Sequence, residues 1–205
     1  MSMIVMWRHA PTASNADGRI QGRLDVQLDQ PGRAVAKWGA ARIFDAFGSG
    51  VRIFSSPLGR ALDTAQQLAN LTGGAVVVDE AFAQRSYGAW EGLTWEEVRR
   101  DWPREFAQRE SGVDPSVPGW DGQDAVAARV LAGLERVWDA QTPAVVVSHG
   151  SPITLGLLAA IEQPASSTVL ARVPHGAAAT LRRVESGAWH IDAFGLGADG
   201  VREGS

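Results

Sequence analysis

The chemistry open to this chain rests on a small set of side chains. Histidine occurs four times, as His9, His149, His175 and His190; of the 19 basic residues only Lys37 is lysine and the other 18 are arginine; cysteine is absent. Without cysteine there is no thiol nucleophile, thiolate metal site or disulfide. Lys37 is followed by Trp38 rather than Ser or Thr, which rules out a P-loop, and nothing around it activates an amine. Covalent chemistry therefore falls to Ser, Thr, Asp, Glu, Tyr or His. Arg8, His9 and His149 stand out because each comes just after a short apolar run, and Arg60 because it follows Ser55-Ser56-Pro57 beyond another. Guanidinium forks pair with phosphate or carboxylate, so the two arginines specify an anionic, oxygen-rich ligand, which phosphate fits best. A neutral imidazole, with an ordinary pKa near ~6.5, can attack phosphorus and form a phosphohistidine that water then hydrolyses. A second imidazole, if protonated, would offset charge on the moving phosphoryl group without a metal or other cofactor. The four histidines show no i,i+4 pair and no carboxylate at ligand spacing, so a metal site is not indicated.

What must position these residues is an alternation of strands and helices. Apolar or β-branched runs at 4–7, 51–54, 75–78 and 144–147 are bounded by Gly, Pro, Ser or Asp and read as buried strands. Stretches 32–47, 58–71, 123–140 and 152–161 carry apolar residues at helical spacing. The alternation predicts an α/β fold, a three-layer α/β/α sandwich around a mostly parallel sheet. A hairpin, 179–184 and 188–193 around Ser186-Gly187, closes one edge. In such sheets ligands bind beyond the carboxyl ends of the strands, where Arg8, His9, Arg60 and His149 fall. Residues 85–122 hold four of the eight tryptophans and read as a lid-like helical or loop insertion over the strand ends; 195–205 read as a frayed tail. Trp90, Trp95, Trp102 and Trp120 either pack that lid or stack on substrate. Arg85 either enters the pocket or is solvated. Glu96, Glu97, Arg99 and Arg100 read as a solvated helical face.

Composition adds exclusions. With 205 residues, 45% hydrophobic, 20% charged and a formal charge of −4, the chain reads as one globular domain over 1–205. No cluster of arginines interleaved with aromatics suggests a nucleic-acid partner. No run approaches the ~20 apolar residues of a membrane span, so no membrane partner is expected. The N-terminus lacks the pattern of a signal peptide, and a cytoplasmic location is expected. A homodimer is neither required nor ruled out.

The motifs themselves resemble a known family. Arg8-His9-Ala10-Pro11-Thr12-Ala13-Ser14-Asn15 is similar to the Arg-His-Gly-x-Thr-x-x-Asn signature of the histidine phosphatase superfamily, the phosphoglycerate mutase-like proteins. Gln21-Gly22-Arg23-Leu24-Asp25, the run from Ser55 to Ala65, Tyr87-Gly88-Ala89-Trp90-Glu91-Gly92 and Val147-Ser148-His149-Gly150 follow in the family's order, over about 3–184. The resemblance implies that His9 is the phosphoryl acceptor and that Arg8, Arg60 and His149 form the phosphate pocket. It also implies that Asn15, Gln21 and Gly22 line the substrate side and that the Gly150-Ser151 backbone helps hold phosphate. The activity implied is hydrolysis of a small phosphorylated metabolite.

Three positions depart from the family pattern. Ala10 replaces the usual Gly, a mild change. His175 stands where Asn is frequent and either contacts ligand or caps the edge strand. Gln84 replaces the Glu that serves as general acid in members with a Leu-x-Glu-x-x-x-Gly motif. An amide cannot protonate a leaving alkoxide, and losing a general acid costs a factor of ~10²–10⁴. Either the leaving group is a weak base, or another carboxylate substitutes (Glu91 is the first candidate, with a purely structural role in the Trp-Glu-Gly turn as its alternative), or the pocket binds phosphate or does other work. The change also disfavours mutase activity, which needs proton transfer in both directions.

Overall fold

A computed structural model describes residues 3–197. Its centre is a six-stranded mixed sheet in the order β3-β2-β4-β1-β5-β6, formed by β1 (Ile4–Arg8), β2 (Arg52–Ser55), β3 (Val76–Val78), β4 (Ala144–Ser148), β5 (Ala178–Arg183) and β6 (Trp189–Leu196). The first four strands run parallel; β5 is antiparallel to β1, and β6 to β5. Alternation along β1 explains the layering, since successive side chains point to opposite faces. Ile4 and Met6 join Val130, Leu134 and Ile153 from α6 (Gln123–Val137) and α7 (Gly150–Ala160). Val5 and Trp7 join Ala40, Ala61 and Leu68 from α2 (Gln30–Phe47) and α3 (Gly59–Thr72) on the other face. This is the α/β/α sandwich expected.

The helices begin and end for local reasons. Asp29 caps α2 by accepting from the Gly32 N–H at 2.7 Å, with Pro31 in the first turn, so the helix starts two residues before the periodic pattern does. Helix α6 stops at Val137, three residues short of the expected end, as the backbone at Trp138 turns to ψ 130°. The expected fraying from Gly195 is corrected in part: β6 continues through Leu196, paired with Ala178, while the rest of that stretch, 198–205, lies outside the described residues.

Residues 85–122 carry α4 (Trp95–Asp101) and α5 (Pro103–Glu110). A short helix α1 (Ala13–Ala16), not anticipated from the sequence, follows the first strand. In the 85–122 segment Tyr87, Trp90, Val98 and Val117 bury an apolar cluster with Ile20, flanked by Trp95, Trp102 and Trp120. The rings meet edge to face, Trp90–Trp120 and Tyr87–Trp120 both at 5.2 Å. Packing is therefore the principal use of these tryptophans, though Trp95 also reaches a cavity wall. No helix among the described residues is long and apolar enough to cross a membrane.

Candidate active site

The parallel pairing of β1 with β4 aligns Arg8 with Ser148, so the chain leaves both strands side by side. His9 follows at once, its N–H bonded to the Ser148 carbonyl at 2.9 Å, and the rings of His9 and His149 stand with centroids 5.0 Å apart. The Ala10 N–H donates to Thr64 Oγ1 (3.1 Å), which itself donates to the Arg60 carbonyl (2.7 Å), tying the His9 loop to α3. Ser148 Oγ donates to the Phe82 carbonyl at 2.7 Å and so anchors the turn leading to Gln84.

Hydrogen bonds define the protonation of two rings. His9 Nδ1 lies 2.7 Å from the Ala10 carbonyl, which can only accept; Nδ1 therefore carries a proton, and in the neutral ring Nε2 keeps a lone pair. His175 Nε2 lies 2.6 Å from an Arg8 guanidinium nitrogen, which can only donate, so there the proton sits on Nδ1. His149 Nε2 is 2.7 Å from Ser56 Oγ, and its buried Nδ1 has no partner among the described residues.

Electrostatics agree with neutral imidazoles. His9 is held well below the usual histidine value by burial, then by Arg60, His175 and Arg8; His149 is pushed the same way by burial, then His9 and the arginines. His175 falls to about 3, through burial and then Arg8, Arg172 and Arg60. Burial also lowers Arg8 and Arg60 to about 10, which leaves both cationic at neutral pH. Arg60 is fully buried and donates to the carbonyls of Gly22 and Leu24, each at 2.8 Å. Arg8 is oriented by the Val173 carbonyl at 2.7 Å and by His175.

These groups open onto a cavity of about 160 Å³, the volume of roughly five waters. Arg8, His9, Asn15, Gln21, Gly22, Arg60, Gln84 and His175 all line it. Arg19 and Arg172 add two further cations, and no carboxylate is present among the described residues of its wall. Thr12 Oγ1 donates to Asn15 Oδ1 (3.0 Å) and accepts from Gln21 Nε2 (2.8 Å), which fixes both amides. Gln84 Oε1 accepts from the Arg85 N–H at 2.9 Å.

Other sequence candidates lie elsewhere. His149 presents no surface of its own and reaches the site only beside His9. Gly150 lies against Arg8, where an added Cβ would be 3.0 Å from the guanidinium carbon, and Ser151 faces a neighbouring cavity. Glu91 is structural: its Oε1 accepts from the N–H groups of Arg23 and Tyr87, both at 3.0 Å, and from Ser86 Oγ at 3.3 Å. It is absent from the wall of the His9 cavity, so its candidacy as proton donor is not supported. Arg85 is neither solvated nor aimed at His9; it pairs with Asp114 at 3.0 Å and stacks on Trp120. Sequence reasoning missed Arg172 and the Ser56–His149 bond. Ser56 carried a signal, its place after a strand, whereas Arg172 sits in an irregular stretch with no periodicity.

The strand ends in the parallel part of the sheet thus gather a histidine and guanidiniums, groups suited to holding an oxyanion. The model of the histidine phosphatase superfamily (branch 1) matches residues 4–196, and the chain belongs to that family. The structure of the mycobacterial glucosyl-3-phosphoglycerate phosphatase is similar, with TM-score 0.85 and 29% identity over 96% of this chain and 100% of that one. Phosphoserine phosphatase 1 of Hydrogenobacter thermophilus is 32% identical, over 75% of this chain and 73% of its own. A bifunctional protein of Mycobacterium tuberculosis is 34% identical over 83% of this chain, which spans only 46%, about half, of that relative's length.

Proposed function

We propose that the protein is a phosphohydrolase for small phosphorylated metabolites that works through a phosphohistidine on His9. The observation that carries this reading is the unprotonated Nε2 of His9, held beside Arg8 and Arg60 in a cavity with no carboxylate on its described wall. A phosphomonoester seats its oxygens on the two guanidiniums. Nε2 attacks phosphorus in line, the N–P bond forms, and the bond to the leaving oxygen breaks. Arg8, Arg60 and, once the anion has entered, a proton taken up by His149 stabilise the charge on the transferring group. Water then attacks the phosphohistidine, releasing inorganic phosphate and restoring the imidazole. The positive charge that a metal would bring is supplied by guanidiniums, so no metal enters these steps. The names of the related phosphatases support hydrolysis of small metabolites over other reaction types.

Gln84 selects among substrates. With an amide in the acid's position, leaving groups that are weak bases are favoured, such as those of acyl or aryl phosphates. The same residue favours a second reading, a module that binds a phosphorylated ligand without turnover. An assay with an aryl phosphate in the presence of chelator separates the two. Phosphate release that His9→Ala abolishes supports the hydrolase. Release that survives His9→Ala refutes the intermediate, and vanadate binding without any release favours the binding module.

A further inference from the structure

Gln84 reaches the wall of the His9 cavity from the end of a tight turn, 79–83, which leaves β3 and packs on α6. Within it Glu80–Phe82 form a single turn of 3-10 helix, started by Asp79, whose Oδ1 accepts from the Ala81 N–H at 2.8 Å. Its next carbonyls, at 80, 81, 82 and 83, are all taken by side chains of other elements. Arg129 of α6 donates to those of Glu80 (2.7 Å), Ala81 (2.9 Å) and Ala83 (3.0 Å), and Ser148 Oγ at the end of β4 donates to that of Phe82. A guanidinium can fan across several acceptors because its donors are fixed in one plane, whereas an ammonium is a point charge on a flexible stem.

Helical spacing lets one element do this. Positions 129, 133 and 136 share a face of α6. At the middle one, Gly133, an added Cβ would lie 2.8 Å from Ala81 Cβ and 3.0 Å from the Phe82 ring, so the turn rests directly on the helix backbone. Arg136 pairs with Asp79 at 2.9 Å, but its side chain is 56% exposed and such a surface pair contributes little. Arg129 is half-buried, and its hydrogen bonds go to backbone carbonyls of this turn rather than to a carboxylate. Residue 84 follows the last of those carbonyls at once, so any shift of the turn is passed directly to it.

We propose that Arg129 is the positioning residue for side chain 84: it holds the turn on α6 and thereby sets how far that side chain reaches into the His9 cavity. The inference rests on the phosphohydrolase reading of that cavity. Arg129 is absent from the cavity's described wall, so it acts only through the turn. The step that depends on it is proton transfer to the leaving oxygen, which needs heavy atoms within about 2.6–3.2 Å of each other. A misplacement of about 1 Å can cost a factor of about 10². The phosphate end is independent of the turn, because Arg8, His9 and Arg60 are tied to the carbonyls of Val173, Ser148, Gly22 and Leu24.

The test reads what an acid at position 84 gains with and without the clamp. Gln84→Glu alone is expected to speed alkyl phosphate hydrolysis by about 10²–10⁴. Combined with Arg129→Lys, that gain should shrink by about tenfold or more, in kcat rather than KM, while aryl phosphate rates change less than about threefold. If Arg129→Lys does not fold, Gly133→Ala, which pushes the turn off the helix and leaves the arginine in place, takes its position with the same expectation. An undiminished gain, or a loss shared equally by both ester types, overturns the inference and leaves the hydrolase standing. Where Gln84→Glu brings no gain, or no ester is hydrolysed and the hydrolase reading falls, a spectroscopic measurement decides. The chain has no cysteine, so Gln84→Cys accepts a single nitroxide label. Arg129→Lys should add a mobile component to its line shape and leave a label at the exposed Arg104→Cys unchanged. Identical line shapes at position 84 with and without Arg129→Lys overturn the inference.

Discussion

Three neutral histidines packed beside arginines should make the protein sensitive to mild acid. His9, His149 and His175 are all depressed in the folded state, chiefly by burial and then by neighbouring charges. In the unfolded chain the same imidazoles titrate near ~6.5. As pH falls below that value, the unfolded chain takes up protons that the folded chain refuses, so the contribution to stability is intact above pH ~6.5 and lost below it. Between pH 7.5 and 5.5 the loss is a little over 1 kcal/mol for each histidine that stays neutral, roughly 4 kcal/mol for three. Against a total of about 5–15 kcal/mol for a typical protein, that is a large fraction. Urea unfolding followed by tryptophan fluorescence at the two pH values measures it. His175→Asn should remove about a third of the pH dependence, whatever it does to stability at pH 7.5. Sulfate, which keeps both charges across this range, should reduce the loss by giving the histidines an anion to face. A stability that is flat over this range, or a pH slope that His175→Asn leaves untouched, would refute the reasoning.

Two further outcomes are expected. Gln84→Glu keeps an acceptor for the Arg85 N–H on one oxygen and presents the other to the cavity, so turnover of alkyl phosphates should rise by about 10²–10⁴ while aryl phosphates change little; steady-state rates on the two ester types check this, and no gain on alkyl esters would place the proton donor elsewhere. Gly22→Ala puts a Cβ 2.1 Å from Glu91 Oε1 at a residue with φ +51°, and displaces the carbonyl that orients Arg60, so it should cost about 1–3 kcal/mol in urea unfolding. Vanadate should also bind more weakly to that variant.

The strands were legible because buried β-branched runs bounded by turn residues have few other uses, and the residues just past them were thereby marked as site candidates. Arg8, His9 and Arg60 line one cavity for that reason. The hidden place of His149 was less visible, because a strand-end position does not say whether a side chain faces solvent or a neighbouring ring. Glu91 illustrates a different limit: a carboxylate next to Trp90 and Gly92 looks like a proton donor in sequence, and only the three donors converging on one of its oxygens reveal it as a fastener for the Gly22 loop. Arg172 gave no signal because it is fixed by no strand end, and its place on the wall of the His9 cavity depends on tertiary packing of segments far apart in the chain. Helix α5 was missed for a related reason, as a short, largely polar helix buries too little to show an apolar period.

The alignment of Arg8 with Ser148 has an evolutionary consequence. The spacing of the two buried histidines is inherited from the ladder between neighbouring strands, whose separation of about 4.8 Å is a property of backbone amides and independent of side-chain choice. Most of the other residues that line the His9 cavity come from connections between those strands. Such a layout lets the connecting segments lengthen, shorten or be replaced while the two histidines stay in register.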